Sequence, residues 1–301
     1  MRSDRLRGPT ADETIRHCGV GQGSGAPARR GVFLSGLLLA LLLASCASSR
    51  RAEGPDLAHA AGWRWDILPA GAFDLAVASS PRTGTPMLVA YLEGDGLAYA
   101  TAHQPALDPT PTDPVALRMA LADPTRSAVA WIGRPCQYTL PDHGRHCRTG
   151  YWTTARYAPE VVDSLGIALD ALKRQSGATR LVLVGYSGGG ALAVLLAAGR
   201  SDVAEVVTVV ADLDLEYWPR RDGLAPLADS LDPAQAADRL GMLPQVHFTG
   251  ARDRTVGTDV VRAYLSRLPP GTPARLVEVP GFTHACCWAR DWPALAAGLG
   301  W

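Results

Sequence analysis

The sequence predicts an α/β protein with a doubly wound, mostly parallel sheet, and three observations carry that expectation. Short continuous apolar runs, PMLVAYL at 86–92, SAVAWI at 127–132 and LVLV at 181–184, have the length and composition of strands buried on both faces. Segments with apolar residues at helical spacing alternate with those runs, which is the pattern that right-handed crossovers onto one sheet produce. One strand-like run passes through Gly-Tyr-Ser-Gly-Gly-Gly straight into an alanine- and leucine-rich stretch, a strand-to-helix turn of the kind that carries chemistry.

The 301 residues, 47% of them apolar and with 29 basic against 29 acidic side chains, can bury one large core. Lysine occurs once, at Lys173, and the arginines form no patch, so no nucleic-acid partner is expected. Residues 1–28 are polar and glycine-rich, and the natural start is expected downstream, at Val20 or Val32. Arg29-Arg30 precede the apolar run VFLSGLLLALLLA (32–44), which is too short to remain as a spanning helix and reads as a signal peptide. Residues 47–62, small and polar with Arg50-Arg51, read as a tether, and the folded domain is expected over 63–301.

Within that domain, Trp63 to Leu68 alternates apolar and polar residues and reads as a strand, paired through a Pro-Ala-Gly turn with Phe73 to Ala78. The buried strand 86–92 runs into Glu93-Gly94-Asp95-Gly96, then a proline-rich connector and a short helix, VALRMALA. Strand 127–132 leads into GRPCQY. Pro159 to Gln175 reads as a helix, with Pro159 in its first turn and Gly177 past its end. Strand 181–184, helix 191–198 and strand 205–210 follow. The stretch 212–241, rich in proline, charge and aromatics, reads as a small cap or a pair of short helices. Strand 246–249, helix 256–268, strand 275–279 and helix 287–299 complete the alternation.

The glycine-rich turn suits neither a nucleoside-phosphate loop, since no lysine follows it, nor a dinucleotide fingerprint, since the G-x-G-x-x-G spacing is missing. What remains is Gly185-Tyr186-Ser187-Gly188-Gly189, a G-x-S-x-G turn in which Gly185 and Gly189 clear space for a strained serine. A serine hydroxyl needs a base and a group that orients the base. Asp253 follows the strand ending at Thr249, and His284 follows the strand ending at Val279, so both stand where loops leave the sheet. Asp212 and Asp214 are alternatives for the acid, while His247, inside a strand, reads as a core or edge histidine. The Gly188 N–H is expected to face developing negative charge. The N–H of Asp95, or next of Gly96, is the candidate for the second donor. Glu93 stands beside that oxyanion loop, so its side chain is expected to point away or to be paired, with Arg134 the partner at hand.

Leu43-Ala44-Ser45-Cys46 resembles the bacterial lipobox, in which the cysteine is lipidated and becomes the first mature residue. Ala47 after it implies outer-membrane sorting, facing the periplasm, by the rule of that family. Export places Cys136, Cys147, Cys286 and Cys287 in an oxidising compartment. Cys136 and Cys147 could pair across QYTLPDHGRH, leaving Cys286 and Cys287 as a vicinal bridge or as free thiols; a zinc site with His143 and His146 matches no standard ligand spacing.

YLEGDG, LDPTPTDPVALRMAL, RPCQY, VGYSGGG, ADLDLEYW and HACCW together resemble the α/β-hydrolase superfamily, and more narrowly bacterial lipoproteins of that fold. The resemblance implies a serine hydrolase with no cofactor and no metal, in which Ser187, Asp253 and His284 are catalytic and Gly188 and Asp95 form the oxyanion hole. Its expected partners are a small acyl substrate and a membrane reached through lipidated Cys46. The expected reaction is ester cleavage through an acyl-enzyme, with cleavage of small peptides, or a non-catalytic envelope lipoprotein, as alternatives.

Overall fold

The structure is a computed structural model, and it describes residues 49–299 and 301. The signal segment, the lipobox with Cys46 and the expected start sites lie outside the described residues.

An eight-stranded sheet organises the chain: β1 (Arg64–Ala70), β2 (Phe73–Ser79), β3 (Met87–Leu92), β6 (Ala128–Ile132), β7 (Arg180–Tyr186), β8 (Val203–Val209), β9 (Gln245–Gly250) and β10 (Ala274–Val279). Their spatial order is β1-β2-β6-β3-β7-β8-β9-β10. β2 pairs antiparallel with both neighbours, and every other pairing is parallel. A separate two-stranded hairpin, β4 (Tyr99–Thr101) with β5 (Gln104–Pro105), interrupts the proline-rich connector.

The continuous apolar runs follow from helices on both faces. In β3, Leu88, Ala90 and Leu92 point to one cluster with α3 (Pro159–Ser176) and α4 (Gly188–Ala198). Val89 and Tyr91 point to the other, with α2 (Val115–Leu121) and α7 (Trp288–Ala296). Neither face of β3 meets water, so neither can be polar. α3 begins with Pro159, whose missing N–H costs nothing in a first turn, and ends at Gly177 in the left-handed region (φ 76°). α6 (Thr258–Leu265) lies against β9 and β10.

One part differs from expectation. The segment read as a tether is helical over 49–60, here α1. It is fastened by side chains: Arg50 donates to the Thr110 carbonyl (2.8 Å), Arg51 pairs with Asp108 (3.1 Å), and Glu53 pairs with Arg118 (2.5 Å). Ala58 is fully buried, and a Cβ on Gly54 would come within 2.7 Å of the Trp65 and Tyr138 rings. Small residues that read as linker are there because the helix sits close to two aromatic rings. Of the two readings of 212–241, the pair of short helices is the one adopted. α5 (Tyr217–Asp222) lies against α6, and a 3₁₀ helix over Pro233–Leu240 inserts Ala234, Ala236, Ala237 and Leu240 into the core beside α4. The segment is fastened to the body of the domain by Trp218 Nε1, which donates to the Thr255 carbonyl (2.9 Å), and by the Tyr217 hydroxyl, which donates to Asp259 (3.0 Å).

Cys136 and Cys147 form a disulfide that closes the loop after β6, and Cys286 is joined to Cys287 just before α7. Of the open alternatives, the vicinal bridge is therefore the one adopted.

Candidate active site

β7 ends at Tyr186 and α4 starts at Gly188, so the chain reverses on one residue, Ser187. Its backbone sits at φ 51°, ψ −127°, a conformation that costs on the order of 1–3 kcal/mol and persists only where neighbours enforce it. They do so through the Ser187 N–H, which donates to the Val209 carbonyl (2.8 Å), and the Gly190 N–H, which donates back to the Ser187 carbonyl (2.8 Å). A Cβ on Gly185 would overlap the Gly189 carbonyl, and one on Gly189 would overlap the Leu92 carbonyl. Gly188 is constrained differently: a Cβ there would overlap the Asp95 carboxylate and lie 2.6 Å from the Tyr157 hydroxyl.

His284, in the loop after β10, places Nε2 3.0 Å from Ser187 Oγ and Nδ1 2.9 Å from Asp253 Oδ2. The histidine loop is held by its own carbonyl, which accepts from the Tyr186 hydroxyl (3.0 Å) and from Trp288 Nε1 (3.1 Å). Asp253, in the loop after β9, accepts through Oδ1 from the amides of Thr255 (2.8 Å) and Val256 (3.2 Å). Burial would raise its carboxyl, but the hydrogen bond and charge of His284, with those two amides, hold it below the usual carboxylate range. An ionised Asp253 facing Nδ1 favours the tautomer whose Nε2 can accept the serine proton. The three residues singled out from sequence thus form one continuous chain of hydrogen bonds.

The rival acids lie elsewhere. Asp214 takes the Tyr217 amide (2.8 Å) and pairs with Arg267 (3.1 Å). Asp212 is buried and accepts from the Tyr157 hydroxyl (2.6 Å). Burial, then the nearby Asp95 carboxylate, pushes Asp212 up to about 7 from its ordinary 3.8. Between these values the folded protein keeps a proton that the unfolded chain has released, so this group lowers stability as pH rises through that window. Asp212→Asn should therefore gain melting temperature over the parent protein from about pH 4 to about pH 7 and hold a constant advantage above it. An advantage unchanged across that window would contradict the assignment. His247 is a core histidine: it is fully buried in β9, where burial pushes it down to about 3, and Nδ1 lies 2.8 Å from Thr208 Oγ1.

Beside the serine runs the loop Glu93-Gly94-Asp95-Gly96, where a Cβ on Gly94 would lie 3.4 Å from that of Ser187. Among the described residues, the N–H groups of Gly188, Asp95 and Gly96 have no hydrogen-bond partner, so both candidates for the second donor remain available. Glu93 does not pair with Arg134. Its carboxyl turns inward and accepts from the amides of Gly94 (3.1 Å), Ala116 (3.3 Å) and Leu117 (3.2 Å) and from Trp131 Nε1 (2.8 Å). Burial raises it to about 7 in spite of these four donors. Arg134 binds Asp95 instead (2.8 Å). Sequence spacing could not indicate this, since the start of α2 competes successfully for the glutamate. Gln137, Arg156 and Tyr157, which also touch this loop or its carboxylate, lie at no recognisable spacing from it.

A cleft of about 210 Å³ opens over Ser187 and His284, with walls from Gly94, Gly96, Pro111 and Thr112. The proline-rich connector supplies its rim, and the stretch read as a possible cap supplies none of its walls.

The strand order, with one antiparallel strand near the edge and a serine at a tight turn after a central strand, defines an α/β-hydrolase fold. Solved structures of distant sequence share it. An α/β serine hydrolase without lid from Xanthomonas campestris is 16% identical, with a TM-score of 0.50 over 79% of this chain and 91% of its own. A bacterial membrane phospholipase A described as a virulence factor is 15% identical, with a TM-score of 0.55 over 90% of this chain and 99% of its own. A puromycin hydrolase is 17% identical, with a TM-score of 0.56 over 79% of this chain and 38% of its own longer one. The sequence matches no protein-family model and no curated protein.

Proposed function

We propose that the chain is a serine hydrolase that cleaves a carboxylic ester. The observation that carries this reading is the unbroken chain from Ser187 Oγ through His284 to Asp253, at a cleft lined by Ser187, His284 and the Glu93–Gly96 loop. In the proposed cycle, Ser187 Oγ attacks the acyl carbonyl while His284 Nε2 takes its proton. The carbonyl oxygen gains charge between the Gly188 and Asp95 amides, and His284 returns the proton to the leaving alcohol. Water then attacks the acyl-enzyme by the same route. Asp253 orients the imidazole throughout.

The size of the cleft supports a short acyl group. Turnover of p-nitrophenyl acetate and butyrate should exceed that of the palmitate ester, and a fluorophosphonate should label the protein at Ser187. Labelling that persists in Ser187→Ala would sink the assignment, and faster turnover of an anilide than of the matching ester would shift the reading to a peptidase. We further propose that Cys46 carries a lipid and that the protein is held at the outer membrane facing the periplasm. An alkyne-tagged palmitate fed to expressing cells should enter the parent protein and not Cys46→Ser.

A further inference from the structure

A buried charge cluster that the cycle above does not use lies directly beneath the oxyanion loop. Asp95 Oδ1 accepts from Arg134 Nη1 at 2.8 Å, and Oδ2 from Arg156 Nη1 at 2.5 Å. The Tyr157 hydroxyl stands 3.3 Å from each of the same oxygens and donates to Asp212. Both guanidiniums are themselves fixed. Arg134 donates through Nη2 to the Arg156 carbonyl and lies over the Tyr157 ring, 5.2 Å from its centroid. Arg156 donates through Nε to the Thr153 carbonyl (2.8 Å).

Four separate chain segments meet here. Asp95 follows β3, Arg134 follows β6, Arg156 and Tyr157 precede α3, and Asp212 follows β8. Their side chains are 15% exposed for Asp95, 4% for Arg134 and 11% for Arg156, so these are ion pairs largely withdrawn from water. The cluster presses on the nucleophile turn itself, because the Asp95 carboxylate and the Tyr157 hydroxyl fill the space that a side chain at Gly188 would need. Gln137 adds a grip on the loop backbone, donating from Nε2 to the Gly94 carbonyl (3.0 Å) while its Oε1 accepts from the Arg134 amide (3.1 Å).

A lone carboxylate next to a developing oxyanion would oppose it. Two guanidiniums against the Asp95 carboxylate reverse that sign while Asp212 keeps its proton, and in a site of low dielectric a reversed sign matters more than in water. Burying two arginines is costly, and a fold staple alone could be made from apolar side chains of similar volume at no loss of stability. The cluster's placement under two free amides gives its charge a use.

We propose that Arg134 and Arg156 are positioning residues of the oxyanion hole: they grip the Asp95 side chain so that its own backbone N–H faces the oxyanion, and their surplus positive charge favours that oxyanion. This rests on the serine-hydrolase reading. Asp95 is then held from one end and works from the other.

The test compares the parent protein with Arg156→Ala, Arg156→Lys and Tyr157→Phe, using p-nitrophenyl acetate and a trifluoromethyl ketone that forms an oxyanionic adduct with the serine. Arg156→Ala should lower kcat about 100-fold, the scale of a small displacement in a catalytic geometry, with KM within about threefold. Affinity for the ketone should fall by the same factor as kcat/KM, while inhibition by the product alcohol is unchanged. Arg156→Lys, which keeps the charge and loses the fork, should recover part of the loss, and Tyr157→Phe should cost less than either. If Arg156→Ala does not fold, Arg156→Lys decides with the same split between kcat and KM. Ketone affinity and kcat unchanged in Arg156→Lys, or lowered together with alcohol binding, overturn the proposal. An inert parent protein with unlabelled Ser187 would instead defeat the serine-hydrolase reading itself.

Discussion

Ser187→Ala should lower kcat on a p-nitrophenyl ester about 10⁶-fold, while the far-ultraviolet dichroism and melting temperature stay close to those of the parent protein. The size of the loss follows from the geometry. His284 Nε2 has only Ser187 Oγ to act on at 3.0 Å, and without it the remaining amides can polarise a carbonyl but supply no covalent route. A residual rate of about 10³–10⁴ over water should remain if the Gly188 and Asp95 amides act as an oxyanion hole. Asp253→Asn belongs to the same measurement. It keeps the shape but offers Nδ1 the wrong partner, so a loss of about 10⁴-fold in kcat is expected. A loss of less than tenfold in either variant would remove the triad from the mechanism.

The largest effect on stability should come from Gly185→Ala. The added Cβ would meet the carbonyl of Gly189 and the amide of Gly190, backbone against backbone, with no side-chain end free to swing away. β7 and α4 must then separate, which forfeits packing in the middle of the sheet; a loss above about 4 kcal/mol, or failure to fold, is expected. Gly84→Ala is the control. Its φ of 71° makes a side chain strained, yet nothing lies within 4 Å, so about 1–2 kcal/mol is the expected cost. Urea midpoints of the two variants measure the difference. Similar losses in both would mean that the close crossing of strand and helix is not what selects glycine at position 185.

Much of this was legible in the sequence for a simple reason. Strands such as β3 and β7 are covered on both faces, so their composition alone declares them, and the serine, acid and histidine stand at the exits of β7, β9 and β10 as a parallel sheet requires. Helix α1 was not legible, because its Gly54, Ala58 and neighbours are small in order to pack on Trp65 and Tyr138, and small polar stretches read as linkers. The segment 212–241 was legible as a pair of short helices, but its attachments were not. Its aromatics and arginines bind Thr255, Asp259 and Val256, which are partners contributed by a distant part of the chain. Within the site, sequence indicated that an acid near the oxyanion loop needed a partner, yet it exchanged the pairs. Glu93 goes to backbone amides and Asp95 takes the arginine, a choice made by where α2 and the loop after β6 come to rest.

The base that serves Ser187 lies 97 residues further along the chain, on the loop leaving the outermost strand, β10. A growing polypeptide therefore carries Ser187 through the synthesis of 97 further residues before His284 is added. Only when the final strand has been added beside β9, and α7 has closed over Phe248 through Trp292, does the imidazole arrive. On the proposed mechanism, fragments ending before that point have no base for Ser187, so a first turnover would report that β10 and the loop after it are in place.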